Sequence, residues 1–185
     1  MLLHTTFIAL SVDVFEKALR DSFSSLTSMH NEHFYYFAFI MDEGLHPYIS
    51  AWSYESLEES IINNKISDEE KGWWKWDYAD SPYAVYGYDE FFGEAGTLLD
   101  KREKELTEDE LYDKEWYVRI ASMIEAMKRL DNKGFFGTGE DREKVVINVE
   151  IAPPDGIEKE NALFLNPKSD LLDDYLQYCE ESEEI

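Results

Sequence analysis

The sequence predicts a single α+β domain spanning residues 1–185, an antiparallel or mixed β-sheet with a central hairpin packed by about five helices. Three observations predict it. Apolar residues recur at three- and four-residue steps near the N-terminus and again beyond Thr107. Between Phe34 and Trp52 they switch to extended runs joined by a short turn. The predicted strands and helices also do not alternate regularly, as a doubly wound fold requires.

The first element is an amphipathic helix beginning near residue 5 or 12 and ending near 27, its stripe formed by Val12, Phe15, Ala18, Leu19, Phe23 and Leu26. Phe34 to Met41 is eight consecutive apolar or aromatic residues rich in strand formers, which marks a central strand buried on both faces. Asp42-Glu43-Gly44 then supplies a three-residue hairpin loop, with Gly44 at the position that needs positive φ, and Leu45 to Trp52 returns as the second strand. Pro47 has no ladder donor, so this strand starts after it or turns its nitrogen away from the partner.

Ser53 is placed to cap a helix through Ser56, Leu57 and Ile61, with Glu55, Glu58 and Glu59 in its early turns, and Asn63-Asn64 closes it. Residues 67–87 read as irregular. A helix marked by Tyr88, Phe91, Phe92, Ala95, Leu98, Leu99 and Leu106 follows, although Gly93 and Gly96 each weaken it by about 1 kcal/mol relative to alanine. Thr107 with Glu110 forms a capping-box pattern for a second helix, whose stripe runs through Tyr117, Ile120, Ile124, Met127 and Leu130.

Val145, Ile147, Val149 and Ile151 alternate with Val146, Asn148 and Glu150 as a half-buried or edge-facing strand ended by Pro153-Pro154-Asp155-Gly156. A short strand over Ala162–Leu165 and a last helix around Leu171, Leu172, Tyr175, Leu176 and Cys179 complete the chain. Four glutamates in the last six residues mark 180–185 as a fraying acidic tail.

The formal net charge is −24 over 185 residues. Nine acids stand against two bases in residues 1–60, 16 against eight in 61–120, and 16 against seven in 121–185, so the acidity belongs to the folded body. A nucleic-acid role is excluded from the expectations because phosphate affinity needs a basic footprint, and an anionic membrane surface repels the chain for the same reason. No window resembles a membrane span or a signal peptide. Cys179, the single cysteine, has no disulfide partner within the chain, which points to a reducing cytoplasm.

Chemistry-bearing motifs are sparse. His30-Asn31-Glu32-His33 lacks the zincin spacing and reads as a polar loop; no metal is expected. Gly134, Gly137 and Gly139 are followed by Glu140 and Asp141 rather than a Lys-Ser/Thr pair, which makes them a turn and not a phosphate loop. No serine elbow exists, and Glu180 and Glu181 beside Cys179 disfavour its thiolate. Pairs such as Asp77 with Asp80 are expected by chance among 41 acids. No catalytic residue and no cofactor are therefore expected.

The unusual stretch runs from Trp73 to Tyr83, where three of five tryptophans fall within four positions. Trp73, Trp74, Trp76, Asp77, Tyr78, Asp80 and Tyr83 are the candidate partner- or ligand-binding residues, because Trp and Tyr beside acids resemble binding hot spots. The alternative is that these rings plug the sheet; adjacent side chains cannot all point inward, so one of Trp73 and Trp74 is expected to be partly exposed.

The chain resembles an uncharacterised bacterial family, a domain of unknown function of about this length, over most of its residues. The resemblance is carried by Tyr35-Tyr36-Phe37-Ala38-Phe39, Ser53-Tyr54-Glu55-Ser56-Leu57, Trp76-Asp77-Tyr78-Ala79-Asp80-Ser81-Pro82-Tyr83, Phe135-Phe136-Gly137 with Arg142, and Leu165-Asn166-Pro167. It implies a bacterial origin and an association with toxin and immunity proteins, and assigns no catalytic residue.

Three functional readings follow. One is an interaction protein of immunity or antitoxin type, whose acidity steers a basic, toxin-like partner onto the aromatic segment. Another is a small-molecule-binding protein or enzyme with a pocket lined by that segment and containing a shifted carboxylate or His46. The third treats the charge as a solubility device.

Overall fold

The computed structural model describes residues 2–182. Helix α1 (Leu2–Met29) leads into strand β1 (Phe34–Asp42), and a turn returns the chain as β2 (Pro47–Ser53). Helix α2 (Tyr54–Asn64) and a single turn α3 (Lys71–Trp74) precede the pair α4 (Tyr88–Phe91) and α5 (Gly93–Glu103). A turn α6 (Glu108–Glu110) passes through a π-helical turn at Leu111–Glu115 into α7 (Trp116–Asn132). Strand β3 (Val146–Ala152), α8 (Ile157–Leu165) and α9 (Asp170–Ser182) follow. The remainder of the acidic tail, 183–185, lies outside the described residues.

The sheet is mixed, in the order β2-β1-β3, with β1 antiparallel to β2 and parallel to β3. Strand β1 is central, as its unbroken apolar run demands. Successive side chains of a strand point to opposite faces. Phe37, Phe39 and Met41 accordingly pack with Ile147, Val149 and Ile151 against α1, α5 and α7, while Tyr36, Ala38 and Ile40 join Trp52, Trp76 and α9 on the other side. The result is three layers, with helices on one face of the sheet and the aromatic segment plus α9 on the other.

Local chemistry accounts for the element ends. Ser53 caps α2 through a reciprocal bond pair with Ser56, and Thr107 with Glu110 does the same for α6. The stripe of α7 is Ile120, Met123, Ala126, Met127 and Leu130; Tyr117, expected in that stripe, points outward. The helix predicted over 88–106 is interrupted at Phe92, where the glycine-weakened stretch separates α4 from α5. In the hairpin, the left-handed residue is Leu45 (φ 61°) and not Gly44. Burial of the Leu45 side chain and a 2.6 Å bond from Arg119 Nη1 to its carbonyl hold a conformation that costs a branched side chain about 1–3 kcal/mol.

The predicted strand Ala162–Leu165 is instead the last turn of α8. Its buried residues, Glu158, Asn161, Ala162 and Leu165, have helical spacing, but two are polar and drop out of a hydrophobic pattern. Those polar groups cover the outer edge of β3. Asn166 Nδ2 donates to the Ile147 carbonyl (2.7 Å) and its Oδ1 accepts from the Ile147 amide (2.9 Å); Asn161 Nδ2 donates to the Val149 carbonyl (2.8 Å), and Glu158 Oε1 accepts from the Ile151 amide (3.3 Å). An edge strand left open is a template for self-association, and here side-chain groups occupy it at alternate residues. Strand β3 lies at the sheet's edge, one of the two expected placements, and its residues from Val146 to Ile151 are buried on both faces and not half-buried.

Candidate functional site

The aromatic segment is divided between packing and surface. Trp76 is 1% exposed and meets Tyr35, Tyr36 and Tyr175 edge-on at 5.4, 5.5 and 5.1 Å. The backbone around it is stitched to the sheet: Tyr35 OH donates to the Lys75 carbonyl, Trp52 Nε1 to that of Asp77, and Ser50 Oγ to that of Tyr78. The Asp77 carboxylate accepts from the Ala79 amide, and Trp74, half-buried, donates to Ser60 Oγ. Trp73 is 37% exposed and rests edge-on against Tyr178 at 5.2 Å, which answers the expectation that one of the adjacent rings stays open. Asp80 is exposed and lies with Pro82 and Tyr83 beside α2, while the Tyr83 hydroxyl donates to Glu32. Tyr78 alone of these residues turns to the cleft described next.

That cleft, of about 530 Å³, lies between the 154–156 turn, α8, α9 and Tyr78. Tyr78, Tyr175 and Tyr178 form its aromatic wall, Glu158 and Lys159 come from α8, and Glu150 of β3 reaches it from the sheet. Its size is that of small-molecule sites generally. Strand alternation explains how Glu150 arrives: Val146, Asn148 and Glu150 share the face opposite Ile147 and Val149.

Glu150 is 4% exposed. Its Oε1 accepts the Tyr175 hydroxyl at 2.6 Å, the Tyr36 hydroxyl, and Asn148 Nδ2 at 3.4 Å. Oε2 takes no hydrogen bond from any described residue and is not sealed in the interior. Burial pushes the carboxyl up to about 7, against the opposing pull of the Tyr175 and Tyr36 hydroxyls. Burial also raises both tyrosines well above the ordinary phenol range, so they act as donors. Glu158 is shifted upward by burial too, but its oxygens are committed to the amides of Ile151, Asp155 and Gly156. Lys159 Nζ is 2.6 Å from Glu180.

Residue types that were weighed from the sequence fall elsewhere. His33 pairs with Glu55, whose carboxyl that contact lowers to about 2, whereas His30 lies against Tyr83, so the two imidazoles do not converge. Gly134, Gly137 and Gly139 all have positive φ and form the expected turn; Arg142 after them is bonded to Asp131, Val145, Leu165 and Asn166. His46 Nε2 lies 3.3 Å from Asp100 and 3.8 Å from Glu103, the one three-residue set of metal-ligating type among the described residues. The buried Arg119 guanidinium donates to that same Glu103 at 3.0 Å and already supplies it with a cation. Cys179 is a buried thiol on the cleft wall.

Sequence reasoning missed Glu150, Tyr175 and Tyr178. A signal was present: Asn148 and Glu150 sit at alternate positions of an otherwise apolar strand, and Tyr175 and Tyr178 are one helical turn apart.

Fold and site together define a three-layer α+β protein with a tyrosine-walled acidic cleft. Residues 15–167 match the family described as Domain of unknown function (DUF4303), and the chain belongs to that family. No curated protein and no solved structure matches it at a significant level. Tyr175, Tyr178 and Cys179 lie beyond the matched segment.

Proposed function

We propose that this is a small-molecule-binding protein whose ligand occupies the cleft between Tyr78, β3, α8 and α9. The observation that carries it is Glu150: a buried carboxylate with one oxygen saturated by three donors and the other open to a cleft of small-molecule size. That open oxygen is an acceptor which a group entering the cleft can meet, on a carboxyl whose other oxygen is fixed in place by its donors. A fragment screen read by thermal shift tests it. Ligands that stabilise the wild type and lose their effect in Tyr178→Ala support the reading. Hits unaffected by Tyr178→Ala, or none at all, overturn it.

A second reading is an acidic cytoplasmic interaction protein of immunity type that receives a basic partner. It is favoured by Trp73, exposed and preceded by the surface acids Asp68, Glu69 and Glu70 just before α3. Burial of Trp76 and Tyr83 leaves Trp73 as the main ring available there as an anchor. Pull-down from the native host then recovers a basic protein whose complex weakens with salt and with Trp73→Ala; a salt-insensitive complex, or none, counts against it.

A further inference from the structure

We propose that the cleft selects an organic cation, a protonated primary amine on a short apolar stem, whose ammonium donates a hydrogen bond to Glu150 Oε2. The inference rests on the cleft being a ligand site and adds the chemistry of its occupant.

Three features converge on a cation. The open oxygen of Glu150 is an acceptor on a residue that lines the cleft, and no described residue donates to it. The wall beside it carries the half-buried rings of Tyr78 and Tyr178, whose faces attract an ammonium and whose bodies cover an apolar stem, whereas Tyr175 is packed among Tyr36, Trp76 and Tyr178. The remaining charges are Asp155, Glu158 and Lys159, so acids outnumber bases around the cavity, and Lys159 is held by Glu180. An anion entering this space meets Glu150 and Glu158 with no unpaired cation arranged toward it, which costs it both desolvation and repulsion. A neutral alcohol can donate to Oε2 but gains nothing from the field. A quaternary ammonium gains from the field and the rings but cannot donate, so the primary amine uses both.

Protonation of Glu150 removes its charge and competes for the open oxygen. The groups around it are Tyr36 from β1, Tyr48 from β2, Asn148 from β3, Glu158 and Lys159 from α8, and Tyr175, Tyr178 and Cys179 from α9, with Asp155 of the turn and Tyr78 on the same cleft. All the tyrosines are shifted away from ionisation, and of the cleft's acids burial raises Glu150 and Glu158. Affinity for an amine therefore falls as the solution is acidified through neutrality, by about tenfold between pH 8 and pH 6 for a group titrating near 7.

The test is a two-dimensional amide NMR titration with four probes of similar size: n-butylammonium, tetramethylammonium, 1-butanol and n-butyrate. Butylammonium is expected to shift the amides of Gly156, Lys159 and Tyr178 with a dissociation constant of about 1–10 mM and to bind at least about tenfold more tightly than the other three. Glu150→Gln, with its fold checked by the same spectra, is expected to abolish that preference. The wild-type pH dependence supplies the same readout should the variant not fold. If butanol or butyrate moves the cleft amides as strongly as the amine, the cleft remains a ligand site and the cation assignment is wrong. If none of the four moves them up to about 100 mM, both the assignment and the ligand-site reading fail.

Discussion

Glu150 sets the most direct expectation at the scale of single residues. Its carboxyl titrates near 7 in the folded protein against 4.5 ordinarily, so between those values the folded state binds a proton that the unfolded chain has released. Stability from this group is full below about pH 4.5 and is lost as pH rises through about 7. Glu150→Gln keeps an oxygen for the Tyr36 and Tyr175 hydroxyls and removes the charge. The variant is expected to exceed the wild type by about 1–3 kcal/mol at pH 8 and to converge with it below pH 4.5, in urea unfolding at each pH. A pH-independent difference contradicts the assignment. Trp76→Ala removes the ring shared by Tyr35, Tyr36 and Tyr175 and is expected to cost about 3–5 kcal/mol, read from the urea midpoint. Trp73→Ala, on the surface, is expected to cost under about 1 kcal/mol.

Between elements, the informative junction is α8 on β3. A parallel strand at the end of a three-stranded sheet leaves every second amide and carbonyl unpaired. Asn161 and Asn166 fill those positions, and the Glu158 carboxylate ties the following turn to the strand. Asn161→Ala leaves the Val149 carbonyl without its bond, at a cost of about 1–3 kcal/mol. Light scattering of the same variant is expected to show self-association at the uncovered edge. Because α8 also carries Glu158 and Lys159, this junction fixes one wall of the cleft. Loosening it is expected to weaken ligand binding without touching Glu150.

For the whole molecule, the dominant quantity is the charge of −24. Part of it is locally neutralised, as where Arg129 and Lys133 of α7's end meet Asp13 and Glu16 of α1. The surplus repels itself in the folded state more than in the expanded chain. Raising sodium chloride from about 10 mM to about 0.5 M shortens the screening length from about 30 Å to under about 5 Å and is expected to raise stability by about 1 kcal/mol, or about 2–4 °C in Tm for a domain of this size. An unchanged Tm means that the acids are spaced widely enough for solvent to screen them already. The same surplus biases any ligand or partner toward positive charge, which unites the amine proposed for the cleft with the basic partner of the interaction reading. No described helix is long and apolar enough to cross a membrane.

Periodicity by itself determined the helices α1, α2, α7 and α9, the hairpin, and the central place of β1, because each follows from where a chain segment must bury apolar residues; it ran α4 and α5 together and missed α8. Ser53 and Thr107 were legible as caps for a similar reason: their bonds close within three residues. Only the tertiary structure decided that Ala162–Leu165 is helical, that Leu45 and not Gly44 takes the left-handed turn, and that Glu150 opens onto a cleft. Each of these depends on a polar group satisfied by residues distant in the chain: Asn161 by Val149, the Leu45 carbonyl by Arg119, and Glu150 by Tyr36 and Tyr175. Hydrophobic burial leaves a pattern along the sequence, whereas a buried hydrogen bond between distant residues leaves none until the fold brings donor and acceptor together.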